Sequence, residues 1–114
     1  MNKCIFLGRI VAPAELFYTG SGTARARFTL AVDGGSYTNK DGETVSQVDF
    51  LDFTAWDKTA EFIAKYWTKK GKPMLVESEA RQEKWEDAEG QKRSKVGFRV
   101  LKANFTPTWN QDKE

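Results

Sequence analysis

With 114 residues the chain has room for one hydrophobic core and not two, and 18 Lys and Arg against 16 Asp and Glu leave a net charge of +2, which excludes a polybasic clamp and makes any anion binding a matter of where the charges sit. One cysteine, Cys4, allows no internal disulfide and fits a reducing compartment, so a cytoplasmic protein is the expectation. The opening MNKCIFLGRI is too short in apolar residues for a signal-peptide core and no segment approaches membrane-spanning length, so neither secretion nor membrane insertion is expected.

Lys3 to Val11 reads as a strand with Cys4, Phe6 and Ile10 on one side and Ile5 and Leu7 on the other. Both faces are largely apolar, and in so small a domain the second is expected to meet a partner subunit. Ala12-Pro13-Ala14 breaks the strand, and Thr19-Gly20-Ser21-Gly22 is a turn with two residues free to take positive φ. Ala24 to Val32 alternates, with Ala24, Ala26, Phe28, Leu30 and Val32 inward and Arg25, Arg27, Thr29 and Ala31 outward. Two arginines therefore share an outer face. Asp33 to Thr44 reads as a long polar connection with Tyr37 in its middle, a ring with no core to fill.

From Val48 a strand of period two puts Asp49, Leu51, Phe53 and Ala55 on one face and Phe50, Asp52, Thr54 and Trp56 on the other. The second set joins two large rings to a carboxylate and a hydroxyl. Strand aromatics are often simple packing residues, yet this composition is odd for a buried surface and suits a half-wet platform on which bases stack. Asp57 can then cap a helix whose Ala60, Ile63, Ala64 and Trp67 form one stripe, stopped by Gly71 and Pro73. The stripe is placed to plug a sheet or barrel.

Met74 to Trp85 begins as an apolar strand and continues as a polar arm ending in Glu83-Lys84-Trp85, before the turn Asp87-Ala88-Glu89-Gly90 and the basic return Lys92-Arg93-Ser94-Lys95. Val96 to Phe105 supplies the last strand. The order is all-β: five strands with one α-helix between the third and fourth, the OB-fold, a small closed Greek-key barrel. Residues 1–106 form this domain, and 107–114 are a short polar C-terminal tail.

MNKCIFLGRI, LFYTGSGTARARFTLAV, VDFLDFTAWDKTAEFIAKY, KKGKPMLVES and KWEDAEGQKR, in this order and spacing, resemble the bacterial single-stranded-DNA-binding protein family, phage members included, from Met1 to about Phe105. The resemblance implies an OB-fold that coats single-stranded DNA in replication, recombination or repair, nucleoid-associated in the cytoplasm, without enzymatic activity, cofactor or metal. It implies a homo-oligomer, a tetramer before a dimer, built through the first strand with Lys3, Ile5 and Leu7. Base stacking falls by resemblance on Tyr37, Phe50, Trp56 and Trp85. Phosphate binding falls on Arg9, Lys58, Lys70, Arg81 and Lys84, and alternation alone adds Arg25 and Arg27. Stacking suits any base and lysine or arginine follows the backbone, while a duplex hides its base faces and nothing here resembles a helix that reads a major groove.

The chain departs from the family in several places. Asp52 and Glu83 stand where neutral or basic residues are common, and the turn after the helix is one residue longer, through Trp67-Thr68. The family's Gly/Gln/Pro-rich linker and acidic, phenylalanine-ended tail have no counterpart in a sequence ending Asn110-Gln111-Asp112-Lys113-Glu114, so recruitment of replication and repair proteins through such a tail is not implied. Two other readings stand beside the first. An OB-fold given over to protein contacts as a replication-accessory module would bind nucleic acid weakly. A Mg²⁺ nuclease would need Asp33, Asp41, Glu43, Asp49 and Asp52 to gather, but their spacing is not that of metal ligands and there is no histidine.

Overall fold

The computed structural model describes residues 1–107. Along the chain run β1 (Cys4–Ile10), β2 (Glu15–Tyr18), β3 (Ala24–Thr38), β4 (Thr44–Trp56), α1 (Asp57–Tyr66), β5 (Pro73–Glu86) and β6 (Lys92–Asn104). β1 pairs antiparallel with β5 along Cys4 to Arg9 and with β3 over Gly8 to Ile10; β3 pairs with β4 and β5 with β6, and β4 closes on β6 in parallel. Five strands thus close a barrel in the order β1-β3-β4-β6-β5 and back to β1, the expected OB-fold, with α1 between its third and fourth strands. β2 lies outside this circuit, paired among the described residues with Ala24 to Arg27 at the start of β3. Where β1 passes from β5 to β3 the backbones come close: a Cβ on Gly8 would stand 2.8 Å from the Ala31 carbonyl oxygen, so only glycine fits.

The alternation of β3 and β4 is realised in the core. Ala24, Ala26, Phe28, Leu30, Phe53 and Ala55 are buried, with the Phe28 ring stacked on Phe53 at 5.3 Å and the Phe6 and Phe98 rings packed against Phe53. Helix α1 plugs one end of the barrel through Ala60 and Ile63. Trp67, just beyond it, is wholly buried: its indole N–H donates to the Pro73 carbonyl at 3.0 Å and its ring stacks on Phe105.

Three local features differ from the sequence reading. Asp57 does not cap α1; Trp56 holds the cap position with extended backbone and Asp57 is the first helical residue, at φ 58°. β4 runs into the helix with no connecting residue, so one position must make the turn in left-handed space, which aspartate tolerates better than most side chains. Second, the stretch read as a long connection is mostly strand. Ser36, Tyr37 and Thr38 pair with Ser46, Val45 and Thr44 beyond a bulge, and only Asn39 to Gly42 turns, with the Asn39 Oδ1 accepting the Asp41 and Glu43 amides at 2.9 Å. Third, Glu15–Tyr18 forms a strand of its own.

The β3–β4 and β5–β6 hairpins run past the barrel as two arms. A compact chain of this length would have a radius of gyration of about 13 Å, whereas this one has 16.4 Å and extents of 53 × 41 × 30 Å. Among the described residues no helix is long and apolar enough to cross a membrane.

Candidate nucleic-acid interface

Strand register turns the outward residues into rows. Across β2, β3 and β4 stand Phe17, Arg25 and Trp56, then Glu15, Arg27 and Thr54. The next rows are Thr29 with Asp52, and Arg9, Ala31 and Phe50 across β1, β3 and β4. Phe50 is 65% exposed, an extent that packing into a core does not explain. Trp56 shares this face six residues along β4, roughly 20 Å away at the usual strand rise, and is half-buried beneath the Arg25 guanidinium, 5.2 Å from its ring. β4 therefore shows two rings to one outer surface, as period two requires.

The other two rings sit on the arms. Tyr37, 49% exposed, stands on β3 opposite Val45 in the first arm, and Trp85, 46% exposed, stands opposite Arg93 near the tip of the second. Asp87 shapes that tip: its carboxylate accepts the Glu89 and Gln91 amides and the Arg93 Nε, each at 2.9 Å. The Gln91 amide, then Arg93, holds the Asp87 carboxyl below its ordinary value despite some loss of solvent. Trp85 and Arg93 are thus presented by a hydrogen-bonded turn.

The two acidic departures converge on one lysine. Lys95 Nζ lies 3.5 Å from Asp52 Oδ2 and 3.8 Å from Glu83 Oε1, while the Thr29 hydroxyl donates to Asp52 Oδ1 at 2.7 Å. This ties the second arm to the β4 surface between Phe50 and Trp56. Two of the other carboxylates that could have suggested a metal are turned to local work: Asp33 accepts the Gly35 amide and Glu43 accepts from the Asn39 side chain. Among the described residues no three His, Cys, Asp or Glu side chains gather to hold a metal ion.

The cations divide in the same way. Arg27, Lys58, Lys70 and Lys84 are exposed and make no ion pair among the described residues. Arg81 reaches Glu79 only at 4.0 Å. Arg9 shares a row with Phe50 but gives one N–H to the Gly71 carbonyl at 2.9 Å. Lys58, in the first turn of α1, lines a groove of about 840 Å³ with Tyr18, Trp56 and Arg99. Sequence reasoning left Phe17, Arg93, Lys95 and Arg99 unassigned; Arg99 is in register with Thr54 and exposed. The alternation of the last strand could have found Arg99, but only the register of β2 places Phe17.

Along β1 from Arg9, on the same outward face, Ile5 and Leu7 are 58% and 59% exposed, Leu75 lies opposite Leu7, and Lys3 pairs with Glu77 at 3.3 Å. Cys4 to Leu7 pair with β5 on one edge, and no strand among the described residues takes the other.

The sequence that folds into this barrel matches a known family. The single-strand binding protein family matches residues 1–106. The chain belongs to that family. The single-stranded DNA-binding protein of Treponema pallidum is 41% identical over 96 residues, 84% of this chain and 52% of its own length. That of Thermotoga maritima is 40% identical over 92 residues, 81% and 64% of the two chains, and that of Aquifex aeolicus 39% over 104, covering 91% and 67%. The chain spans about half to two thirds of the length of these relatives. A crystal structure of a deletion mutant of the single-stranded DNA binding protein from Thermus aquaticus shares the fold, with a TM-score of 0.76 over 91% of this chain and 49% of that one at 23% identity.

Proposed function

We propose that this chain binds single-stranded DNA with little regard to sequence, as a homo-oligomer, in replication, recombination or repair. The observation that carries the reading is the outer face of β4, where Phe50 and Trp56 flank polar residues and an arm bearing Trp85 is tied alongside. Every base has a π-face, so such rings bind any sequence. Arg9, Arg27, Lys58, Lys70, Arg81 and Lys84 supply the charge for the sugar-phosphate backbone, and Tyr37, exposed on the first arm opposite Val45, offers a further ring. The free edge of β1, with Ile5, Leu7 and the Lys3–Glu77 pair beside it, supports assembly through the first strand, to a tetramer in the first instance. The role is binding and not catalysis, and it belongs with the nucleoid in the cytoplasm.

One observation favours the accessory-module reading: Asp52, Glu83 and Glu15 place negative charge on the same surface. Competition separates the two. Labelled oligo-dT should bind tightly and be displaced by unlabelled oligo-dT at far lower concentration than by matched duplex; binding no tighter than the duplex's would favour the accessory module.

A further inference from the structure

One row of the sheet is more elaborate than base stacking on Trp56 alone requires. Phe17, Arg25 and Trp56 are direct cross-strand neighbours on β2, β3 and β4. The guanidinium carbon of Arg25 lies over both rings, 5.3 Å from the centre of Phe17 and 5.2 Å from that of Trp56. Its Nε is shielded from solvent and meets no acceptor among the described residues. A planar, weakly hydrated guanidinium suits such a place, and an ammonium does not. Arg27, the next outward residue of β3, has Glu15 and Thr54 for neighbours and no ring on either side. The two arginines that alternation made equivalent are therefore held by different chemistry. β2 takes no part in closing the barrel, yet it places Phe17, 37% exposed, beside this pair.

We propose that Phe17, Arg25 and Trp56 form one preassembled platform for a nucleobase, in which Arg25 is a positioning residue that holds the two rings and Phe17 is a further stacking residue that carries the bound strand past Trp56 onto β2. The inference rests on the single-strand reading above. A ring already held by its neighbour loses little rotamer freedom when a base arrives, which is the gain that preorganisation gives. Arg25 then acts on phosphates only secondarily, and Arg27 carries that role on β3.

Bases and phosphates can be separated with two ligands of equal length, oligo-dT and an abasic oligodeoxynucleotide. Wild type, Arg25→Lys, Phe17→Ala and Arg27→Ala are titrated with both at low salt. Arg25→Lys keeps the charge and loses the plane. It and Phe17→Ala should each lose about fivefold or more on oligo-dT and less than about twofold on the abasic strand, while Arg27→Ala should lose affinity on both. Wild-type affinity of Arg25→Lys and Phe17→Ala for oligo-dT would overturn the platform, as would equal losses on the two ligands, the mark of ordinary damage to the fold. A wild type that binds oligo-dT no better than the abasic strand would overturn the single-strand reading itself, and the platform with it.

Discussion

Asp52 sits between the rings of β4 and neutralises Lys95, with Thr29 fixing its other oxygen. Both partners of the ion pair are substantially exposed, so the pair adds little to folding, but it removes a cation from the surface along which phosphates would pass. Asp52→Asn both deletes a negative charge and releases Lys95. Affinity for oligo-dT should rise by up to about fivefold at low salt and converge on wild type as salt is added, measured by equilibrium titration; a fall would mean that the carboxylate touches the ligand. Trp85 is the opposite case, a ring at an exposed arm with no core contact to lose. Trp85→Ala should cost about 1–3 kcal/mol of single-strand affinity with an unchanged unfolding curve, and full affinity would leave the ring a purely structural role. At this scale the sequence showed which side chains face outward, because alternation is local. It could not show that Asp52 and Glu83 share Lys95, since that contact needs the parallel register of β4 and β6.

The arms owe their shape to their turns. Asp87 organises the second arm through two amides and Arg93, and these bonds hold its carboxyl below the ordinary aspartate value of 3.8. For a carboxylate so depressed, the stabilisation is fully present above that ordinary value and is lost as the pH falls through the lower, folded one. The amide resonances of Glu89 and Gln91 should therefore move with the Asp87 carboxyl at a pH below 3.8, and Asp87→Asn should abolish that step; a step at or above the ordinary value would contradict the capped turn. The same elements mark what was legible. The turn Asp87 to Gly90 was readable because its residues are turn formers between alternating runs. The first arm was not, because two Gly next to polar residues look like a loop, while Ser36 to Thr38 pair with Thr44 to Ser46 only across a bulge. Glu15–Tyr18 escaped notice for a related reason: all four residues are exposed, so no inward-outward pattern announces a strand.

In the whole molecule, the barrel leaves two different surfaces. One carries Phe50 and Trp56 on β4 with the second arm and its Trp85 tied alongside; the other carries Ile5, Leu7 and Leu75 beside the β1 edge that no described strand takes, and the two meet at Arg9. Both faces of the first strand are apolar, and no strand among the described residues covers the outer one, which points to a partner. Leu7→Glu should bury a charge in any β1 interface and reduce the sedimenting species to a smaller one without unfolding the barrel, because Leu7 is 59% exposed in the single chain; an unchanged sedimentation coefficient would remove β1 from the assembly. On the β4 surface, Phe50, Trp56 and the neighbouring Trp85 are proposed to take up the bases of a single strand. Intrinsic tryptophan fluorescence tests it most directly, since Trp56 and Trp85 both stand on the proposed path. Titration with oligo-dT should quench that fluorescence to saturation, at lower ligand concentration in low salt than in high, with matched duplex leaving it largely unchanged; no quenching by oligo-dT, or equal quenching by the duplex, would contradict it.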